Sequence, residues 1–399
     1  MRVLNIMEGL DLGGQQTYTL SLLRHLPRTI VVDTAFMNDG ELRPDFESVS
    51  RRVLDLGTRF QVGETIRRPF QLLRMTRRIV SLIRAQQSDI VLTHSIVSHL
   101  CGALAALVTR TKQIRLVGGS MASIEPTYAK YFGWFHLHRL TAAYLGFPAV
   151  LEELRAKGVS RQRLVLLPWA VDAVMFAPAN SSDRYARRRK CGIGDGEFVI
   201  GWSGRIAANM QVRHTVRLAE SLLRSGFNRF RLLIVGGGPW ESGLRRQIEE
   251  AGLASRAIST GWQPFREIPH YLSMMDVMPL LDDDPQGGSI VREAMSAGVP
   301  VVTVNGISGS QADWITHMET GILISPEDYI NCAAEAVRML EDDAELRVRL
   351  ATNGRDYVLG SMGMDRAADV FADTCRRVAR LTKTFRDTDA ARDTLPPTL

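Results

Sequence analysis

The 399-residue chain has few cysteines, few lysines and no long apolar run. Its four cysteines, Cys101, Cys191, Cys332 and Cys375, lie far apart and form no metal-binding spacing, which argues against a disulfide scaffold or a zinc site. No stretch approaches the roughly 18 apolar residues that a membrane-spanning helix needs. The first residues lack the apolar segment of a signal peptide and predict a buried strand instead, so we expect a cytoplasmic protein.

The basic residues are almost all arginines, and the net positive charge lies in the first half of the chain. Only five of the 49 basic residues are lysines. Residues 1–177 hold 22 Lys+Arg against 14 Asp+Glu, a net charge of +8, whereas the remaining residues hold 27 against 29, a net charge of −2. A basic first half favours an anionic acceptor or an anionic membrane surface. Because no tract interleaves basic and aromatic residues, nucleic acid is not an expected partner.

Strand-like runs alternate with amphipathic helical patterns, which predicts an α/β protein with parallel sheets covered by helices. The predicted strands cover residues 2–7, 30–36, 53–56, 89–93, 114–117, 142–145, 164–167, 198–202, 231–235, 257–260, 277–281 and 299–304.

The alternation is interrupted at residues 176–192, where small, polar and basic residues predominate. We therefore predict one domain over residues 1–180 and a second over residues 181–365, with a cleft between them. Residues 366–399 are predicted to form a helix that packs back toward the first domain and ends near residue 381, followed by a disordered tail.

Four turns that follow predicted strands contain glycine, and ligands of parallel sheets bind beyond the carboxyl ends of strands. The turns are Gly13-Gly14, "GWSGR" with Gly204 and Arg205, "VGGGPW" at 235–240, and Gly287-Gly288-Ser289. Each turn also fits a simple tight connection from strand to helix. A dinucleotide motif fails at the third turn because Glu241 occupies the last glycine position.

The order of these features resembles the nucleotide-sugar glycosyltransferases of family 4. The resemblance covers about residues 1–375 and rests on the Gly-Gly turn, "SDIVLTHSIVSHLCGALAAL", "LEELRAKGVSRQRLVLLPWAVDAVMFAP", "GWSGR", "LLIVGGGPW", "STGWQPFREIPHYLSMMDV" and "REAMSAGVPVVT". It implies the GT-B fold, two Rossmann-like domains whose parallel sheets face a central cleft. It also implies transfer of a sugar from a nucleoside diphosphate sugar to an acceptor hydroxyl, with retention and without a metal or other cofactor.

The resemblance assigns roles to matching residues. Glu293 corresponds to the second acid of a motif with two glutamates. In the family this acid binds the two ribose hydroxyls, and a carboxylate suits this role because it can accept two hydrogen bonds from a vicinal diol. Arg205 corresponds to the arginine that binds the pyrophosphate. Further donor-binding positions are Gly204, Gly288, Ser289 and Ile290, with Gly13 and Gly14 approaching from the N-terminal domain. An alternative for Glu293 is a structural ion pair with Arg292 or Arg266.

Three positions depart from the family pattern. The first acid of the motif falls on Pro285, and Asp284 is the nearest replacement. Met210 occupies the position of the phosphate-binding lysine, and Arg213 is a candidate to bind the phosphates instead. A histidine of the family falls on Gly119. These departures keep two other functions open, a nucleotide-sugar 2-epimerase and a catalytically silent nucleotide-sugar-binding protein.

Several further features have both a functional and a structural interpretation. His94 ends a predicted strand and would contact an acceptor or serve the core. Asp282-Asp283-Asp284 fits an Asp-x-Asp metal motif, although no metal is expected. The helix predicted at 67–84 carries apolar residues on one side and arginines on the other, which suits a solvated outer helix, anionic lipid headgroups or a phosphorylated acceptor. The aromatic stretch 128–140 suits an acceptor groove or the core. Acceptors compatible with these features are a glycan, a lipid-linked sugar or a small molecule. Peripheral contact with the inner membrane face is a further expectation.

Overall fold

The computed structural model describes residues 1–59, 69–118, 137–168, 170–207, 212–281, 289–305 and 311–392. The chain forms two compact units, one of Met1–Trp169 with Met364–Leu399 and one of Ala170–Gly363. Residue 180, the predicted boundary, is the N-cap residue of the first helix in the second unit.

The N-terminal unit is built on a seven-stranded parallel sheet in the order β3-β2-β1-β4-β5-β6-β7. The strands are β1 (Arg2–Gly9), β2 (Val31–Asn38), β3 (Arg52–Asp55), β4 (Ile90–Thr93), β5 (Lys112–Val117), β6 (Thr141–Gly146) and β7 (Leu164–Leu166). The helices are α1 (Gly14–Arg24), α2 (Arg43–Val49), α3 (Pro69–Gln86), α4 (Ile96–Thr109), α5 (Leu137–Leu140) and α6 (Pro148–Ala156), with a short 3₁₀ turn at Arg161–Arg163. The strand order reverses at β1, which pairs with β2 on one side and β4 on the other.

The second unit contains two three-stranded parallel sheets, β10-β9-β8 and β11-β12-β13, joined by a parallel bridge between Ile200 and Val277. Its elements are α7 (Ser181–Lys190), β8 (Phe198–Ser203), α8 (Val212–Arg224), β9 (Phe230–Val235), α9 (Glu241–Glu250), β10 (Ala257–Ser259), α10 (Ile268–Leu272), β11 (Met278–Leu280), α11 (Ile290–Ser296), β12 (Val301–Val304), β13 (Ile322–Ile324), α12 (Tyr329–Asp342) and α13 (Ala344–Ser361), with 3₁₀ turns at Phe265–Glu267 and Gln311–Trp314. The order reverses at β8, between β9 and β11. Both units therefore have the strand arrangement of a Rossmann-like fold.

All twelve predicted strands are present. Most of them are apolar runs buried on both faces, whereas the edge strands β3, β7 and β10 are partly exposed. The strand β13 was not predicted from the sequence. The last helix, α14, spans Met364–Arg392 and belongs to the N-terminal unit. The prediction that it ends near residue 381 is wrong, because no glycine or proline interrupts the sequence between Met364 and Pro396.

A buried aspartate fastens α7 to the sheet of the second unit. Asp276, 8% exposed, accepts hydrogen bonds from Arg184 and Arg188, each at 2.7 Å, and from the backbone N–H of Val199, also at 2.7 Å. Within the described part of the chain, no helix is both long and apolar enough to cross a membrane.

Candidate functional site

Arg205 lies just beyond the carboxyl end of β8, where the strand order of the second unit reverses. Such a reversal leaves a crevice between the turns that follow the two diverging strands, and ligands of parallel sheets bind there. The guanidinium is exposed, and it forms no ion pair with any residue that the structure describes. Its positive charge is therefore available to an anion.

The backbone on either side of Arg205 is fixed to the turn that follows β9. The N–H of Gly204 donates to the carbonyl of Val235 at 3.0 Å, and the N–H of Ile206 donates to the carbonyl of Gly237 at 2.9 Å. A Cβ on Gly236 would lie 1.9 Å from the carbonyl oxygen of Gly204. The glycine turn "VGGGPW" thus allows two loops to touch, and this contact holds the arginine in place.

Glu293 lies in α11, the helix that follows β11 on the other side of the same crevice. The residue is only 8% exposed, and burial raises the pKa of its carboxyl, while a hydrogen bond with the Ser289 side chain and the charge of Arg292 lower it in part. Within the described residues, no ion pair joins Glu293 to Arg292 or Arg266. The Arg292 guanidinium instead lies over the Trp314 ring, 4.7 Å from its centroid.

The other predicted donor-binding residues of this unit are only partly described. Ser289 is the N-cap residue of α11 and makes no side-chain cap hydrogen bond, and both it and Ile290 are half-buried. Arg213 is exposed in the first turn of α8, and its carbonyl accepts a hydrogen bond from Gln247 at 3.1 Å. Asp284 and Gly288 lie outside the described residues, as do Pro285 and Met210.

In the N-terminal unit, Gly13 and Gly14 follow β1 and begin α1. Gly13 is the N-cap residue without a side-chain cap, and the first turn of α1 contains no acid. Gly14 is exposed, and an added Cβ would meet no atom within 4 Å. A helix start without a side-chain cap or an acid suits an anion.

His94 follows β4 and is only 2% exposed. The ring Nε2 lies 2.6 Å from Asn5 Oδ1. The backbone N–H of His94 donates to Ser98 Oγ at 3.2 Å, and its backbone carbonyl accepts from Arg115 Nε at 3.2 Å. Burial lowers the pKa of the imidazole to about 3, so the ring is neutral. These contacts favour a structural role, and the substrate contact predicted for His94 stays a prediction.

Glu8 is a candidate that sequence reasoning missed. It lies at the carboxyl end of β1, where the order of the N-terminal sheet reverses, and Oε1 accepts from the N–H groups of Val97 at 2.7 Å and Ser98 at 3.2 Å. Burial raises the pKa of its carboxyl, and a hydrogen bond with the Ser95 side chain lowers it in part. A single acid inside the apolar run "VLNIMEG" was the available signal.

The remaining predicted features are largely undescribed. Gly119, the Asp282–Asp284 run and most of the aromatic stretch 128–140 lie outside the described residues. Elsewhere in the described chain, no group of three or more His, Cys, Asp or Glu side chains is placed to hold a metal ion.

Two Rossmann-like units, with a cation and a buried acid at the strand reversal of the second, define the class of GT-B glycosyltransferases. Two family models match the chain, Glycosyltransferase Family 4 over residues 12–174 and Glycosyl transferases group 1 over residues 183–357. The chain belongs to this family of nucleotide-sugar-dependent glycosyltransferases, which confirms the resemblance seen in the sequence.

Individual proteins agree with this assignment. The chain is 32% identical over 213 residues to the 2-deoxystreptamine glucosyltransferase of Streptomyces kanamyceticus, covering 53% of this chain and 54% of that enzyme. It is 27% identical over 301 residues to the GDP-mannose-dependent alpha-(1-6)-phosphatidylinositol monomannoside mannosyltransferase of Mycobacterium tuberculosis, covering 71% of this chain and 76% of that enzyme. The match thus spans about half the length of the first relative.

The fold is shared with Anabaena HepE, crystallised with UDP and glucose. The TM-score is 0.78 at 18% identity, over 94% of this chain and 99% of HepE. The predicted GT-B fold is therefore confirmed.

Proposed function

We propose that this chain transfers a sugar from a nucleoside diphosphate sugar to an acceptor hydroxyl, with retention of the anomeric configuration. The observation that supports the proposal most is the pair Arg205 and Glu293. They lie beyond the carboxyl ends of adjacent strands in one unit, and neither forms an ion pair with a described residue. Family membership supplies the reaction class.

Arg205 is assigned to the diphosphate. A guanidinium offers donors in a planar fork that suits phosphate oxygens, and it stabilises the negative charge that develops as the nucleoside diphosphate leaves. Because the backbone of Gly204 and Ile206 is hydrogen-bonded to the turn after β9, little reorganisation is needed when this charge appears. The amides of Gly288, Ser289 and Ile290, together with Arg213, are assigned to the same phosphate groups.

Glu293 is assigned to the two ribose hydroxyls. A buried carboxylate without a cation partner has lost its hydrogen bonds to water. The two hydrogen bonds that a vicinal diol donates replace them. The only described side-chain hydrogen bond of Glu293 is with Ser289, so acceptor capacity is left for a ligand. Asp284 is proposed as a second acid in place of Pro285.

The N-terminal unit is assigned to the acceptor, with Gly13 and Gly14 offering amides to an anionic group and His94 supporting the strand ends. The relatives named above are a 2-deoxystreptamine glucosyltransferase and a phosphatidylinositol monomannoside mannosyltransferase, so the acceptor class proposed is a small molecule, a glycan or a lipid-linked sugar. No metal is assigned a role. A cytoplasmic position with peripheral contact to an anionic membrane is part of the same proposal.

A thermal-shift panel of nucleoside diphosphates and their sugars tests the proposal. Wild type should be stabilised by at least one nucleotide by several degrees, since a ligand at 100 times its Kd adds about 2.7 kcal/mol. Glu293→Ala should lose that stabilisation, whereas the matched control Glu335→Ala, an exposed acid on α12, should keep it.

Product analysis then separates the possible activities. Sugar transfer requires an acceptor, a 2-epimerase would convert the donor alone, and a silent binding protein would turn over nothing. If no nucleotide stabilises the wild type, the proposal fails. If one does and Glu293→Ala responds equally, the role of Glu293 fails.

A further inference from the structure

Two helices of the N-terminal unit, α3 and α4, pack against each other, and both expose apolar side chains. On α3, Phe70 is 86% and Leu73 48% exposed, and at the end of α4 Leu107 is 60% and Val108 58% exposed. Leu73 and Val108 line one open groove. We refer to Phe70, Leu73, Leu107 and Val108 as the apolar strip.

The apolar strip is not needed for the core. The opposite face of α3 already supplies Met75, Ile79 and Ile83 to the core of the unit, as the amphipathic pattern of the sequence predicts. Single exposed apolar residues are ordinary, but several on neighbouring helices indicate a contact surface.

Arginines flank the apolar strip. Arg74, Arg77, Arg78 and Arg84 are exposed on α3, and Arg77 and Arg84 line the same groove as Leu73. Within the described residues, none of the four forms an ion pair. Neither α3 nor α4 contains an aspartate or a glutamate, so neither helix carries a charge that would neutralise them.

We propose that the apolar strip and these four arginines bind the surface of an anionic lipid bilayer. Apolar side chains beside arginines suit the boundary between headgroups and acyl chains, where the apolar groups enter the membrane and the guanidinium groups bind lipid phosphates. The absence of acids on both helices matches a uniformly negative partner. The inference identifies the surface for the membrane contact in the proposed function, and its test does not depend on catalysis.

Flotation with vesicles measures this binding directly. Wild-type protein should float with vesicles of phosphatidylcholine containing about 40% phosphatidylglycerol and remain unbound with phosphatidylcholine alone. The partition coefficient should fall about fivefold for each arginine removed, hence by about two orders of magnitude for Arg74→Gln/Arg77→Gln/Arg78→Gln. Phe70→Ser/Leu73→Ser should reduce it roughly tenfold.

Matched controls separate this surface from net charge and general hydrophobicity. Arg189→Gln/Arg245→Gln/Arg246→Gln removes the same charge from exposed positions of the second unit, and Val348→Ser removes an equally exposed apolar side chain. Both controls should bind as the wild type does. All variants change exposed side chains, and thermal unfolding confirms that each one is folded.

Three results would overturn the proposal. The first is equal loss of binding in the charge control, and the second is equal binding to neutral vesicles. The third is complete competition by millimolar glycerol phosphate, which would assign the arginines to a soluble phosphorylated ligand. The α3 variants should keep the stabilisation by nucleotide that the wild type shows. This measurement distinguishes a failure of the membrane proposal from a failure of the nucleotide site.

Discussion

Glu293→Gln should weaken nucleotide-sugar binding while it stabilises the unliganded protein. The substitution keeps the shape of the side chain and removes its charge. Burial raises the pKa of the Glu293 carboxyl in the folded state above its value in the unfolded chain. The stability that such a group contributes is present in full below the unfolded pKa and is lost as pH rises through the folded pKa. At neutral pH the glutamine variant no longer carries this loss, so its melting temperature should be equal to or above that of wild type.

The loss of binding follows from the hydrogen bonds to the ribose. A hydrogen bond to a charged group contributes about 1.5–3 kcal/mol and a neutral one about 0.5–1.5 kcal/mol. Two such bonds made neutral would therefore cost about 2–3 kcal/mol, or roughly 30- to 150-fold in Kd. Because the diol binds the ionised carboxylate, wild-type affinity should rise with pH through the pKa of Glu293 and then level off, whereas the variant should lack this dependence.

Isothermal titration with the nucleotide sugar found by thermal shift, between pH 5 and pH 8, measures both effects. A nucleotide sugar is preferred to a free diphosphate because its phosphates do not titrate in this range. Glu335→Gln is the control, since this acid is exposed on α12. The reasoning is refuted if Glu293→Gln binds with wild-type affinity, or if it melts well below wild type at neutral pH.

Three other substitutions separate function from stability. Gly14→Ala should leave the melting temperature unchanged or raise it by up to about 4 °C, because alanine is a better helix former by up to about 1 kcal/mol and its Cβ contacts no other atom. The turnover of this variant should fall. Unchanged turnover would remove Gly14 from the site. Arg205→Gln should lower kcat about 10²- to 10³-fold without a change in unfolding free energy. The control Arg245→Gln, on the exposed face of α9, should lower neither kcat nor the unfolding free energy. If Arg205→Gln has the kcat of the wild type in steady-state assays, the assignment is contradicted. Asp276→Ala should lower the free energy of unfolding in urea by about 3–5 kcal/mol because Arg184 and Arg188 would lose their acid; a loss below about 1 kcal/mol would show that this cluster does not stabilise the fold.

Much of the fold could be predicted from the sequence because buried parallel strands are short apolar runs between amphipathic helices. The clamp around Arg205 could not be predicted. The glycines of "VGGGPW" indicated a tight turn, but only the structure shows that Gly236 and Gly238 allow contact with Gly204 and Ile206 on the preceding turn. Such contacts join residues about 30 positions apart, and no local period encodes them.

Glu8 shows the same limit at a single residue. The sequence shows an acid at the end of β1, but its partners Val97 and Ser98 lie almost 90 residues away. They become neighbours only because β4 pairs with β1. Sequence periodicity predicts strands, whereas strand order decides which side chains meet at the edge of the sheet.

Two acids of the second unit show how partners distinguish a structural group from a ligand-binding group. Asp276 and Glu293 are equally buried, at 8% exposure each. Asp276 accepts hydrogen bonds from two arginines and a backbone amide, so its desolvation is offset within the fold. Glu293 has a serine hydroxyl as its only described side-chain hydrogen-bond partner, and burial raises its pKa. An unpaired buried carboxylate lowers stability. The presence of Glu293 after β11, the strand adjacent to the one that Arg205 follows, is explained if a ligand supplies the missing donors. Removal of the charge should therefore destabilise the fold at Asp276 and stabilise it at Glu293, and only the change at Glu293 should abolish the stabilisation by a nucleotide.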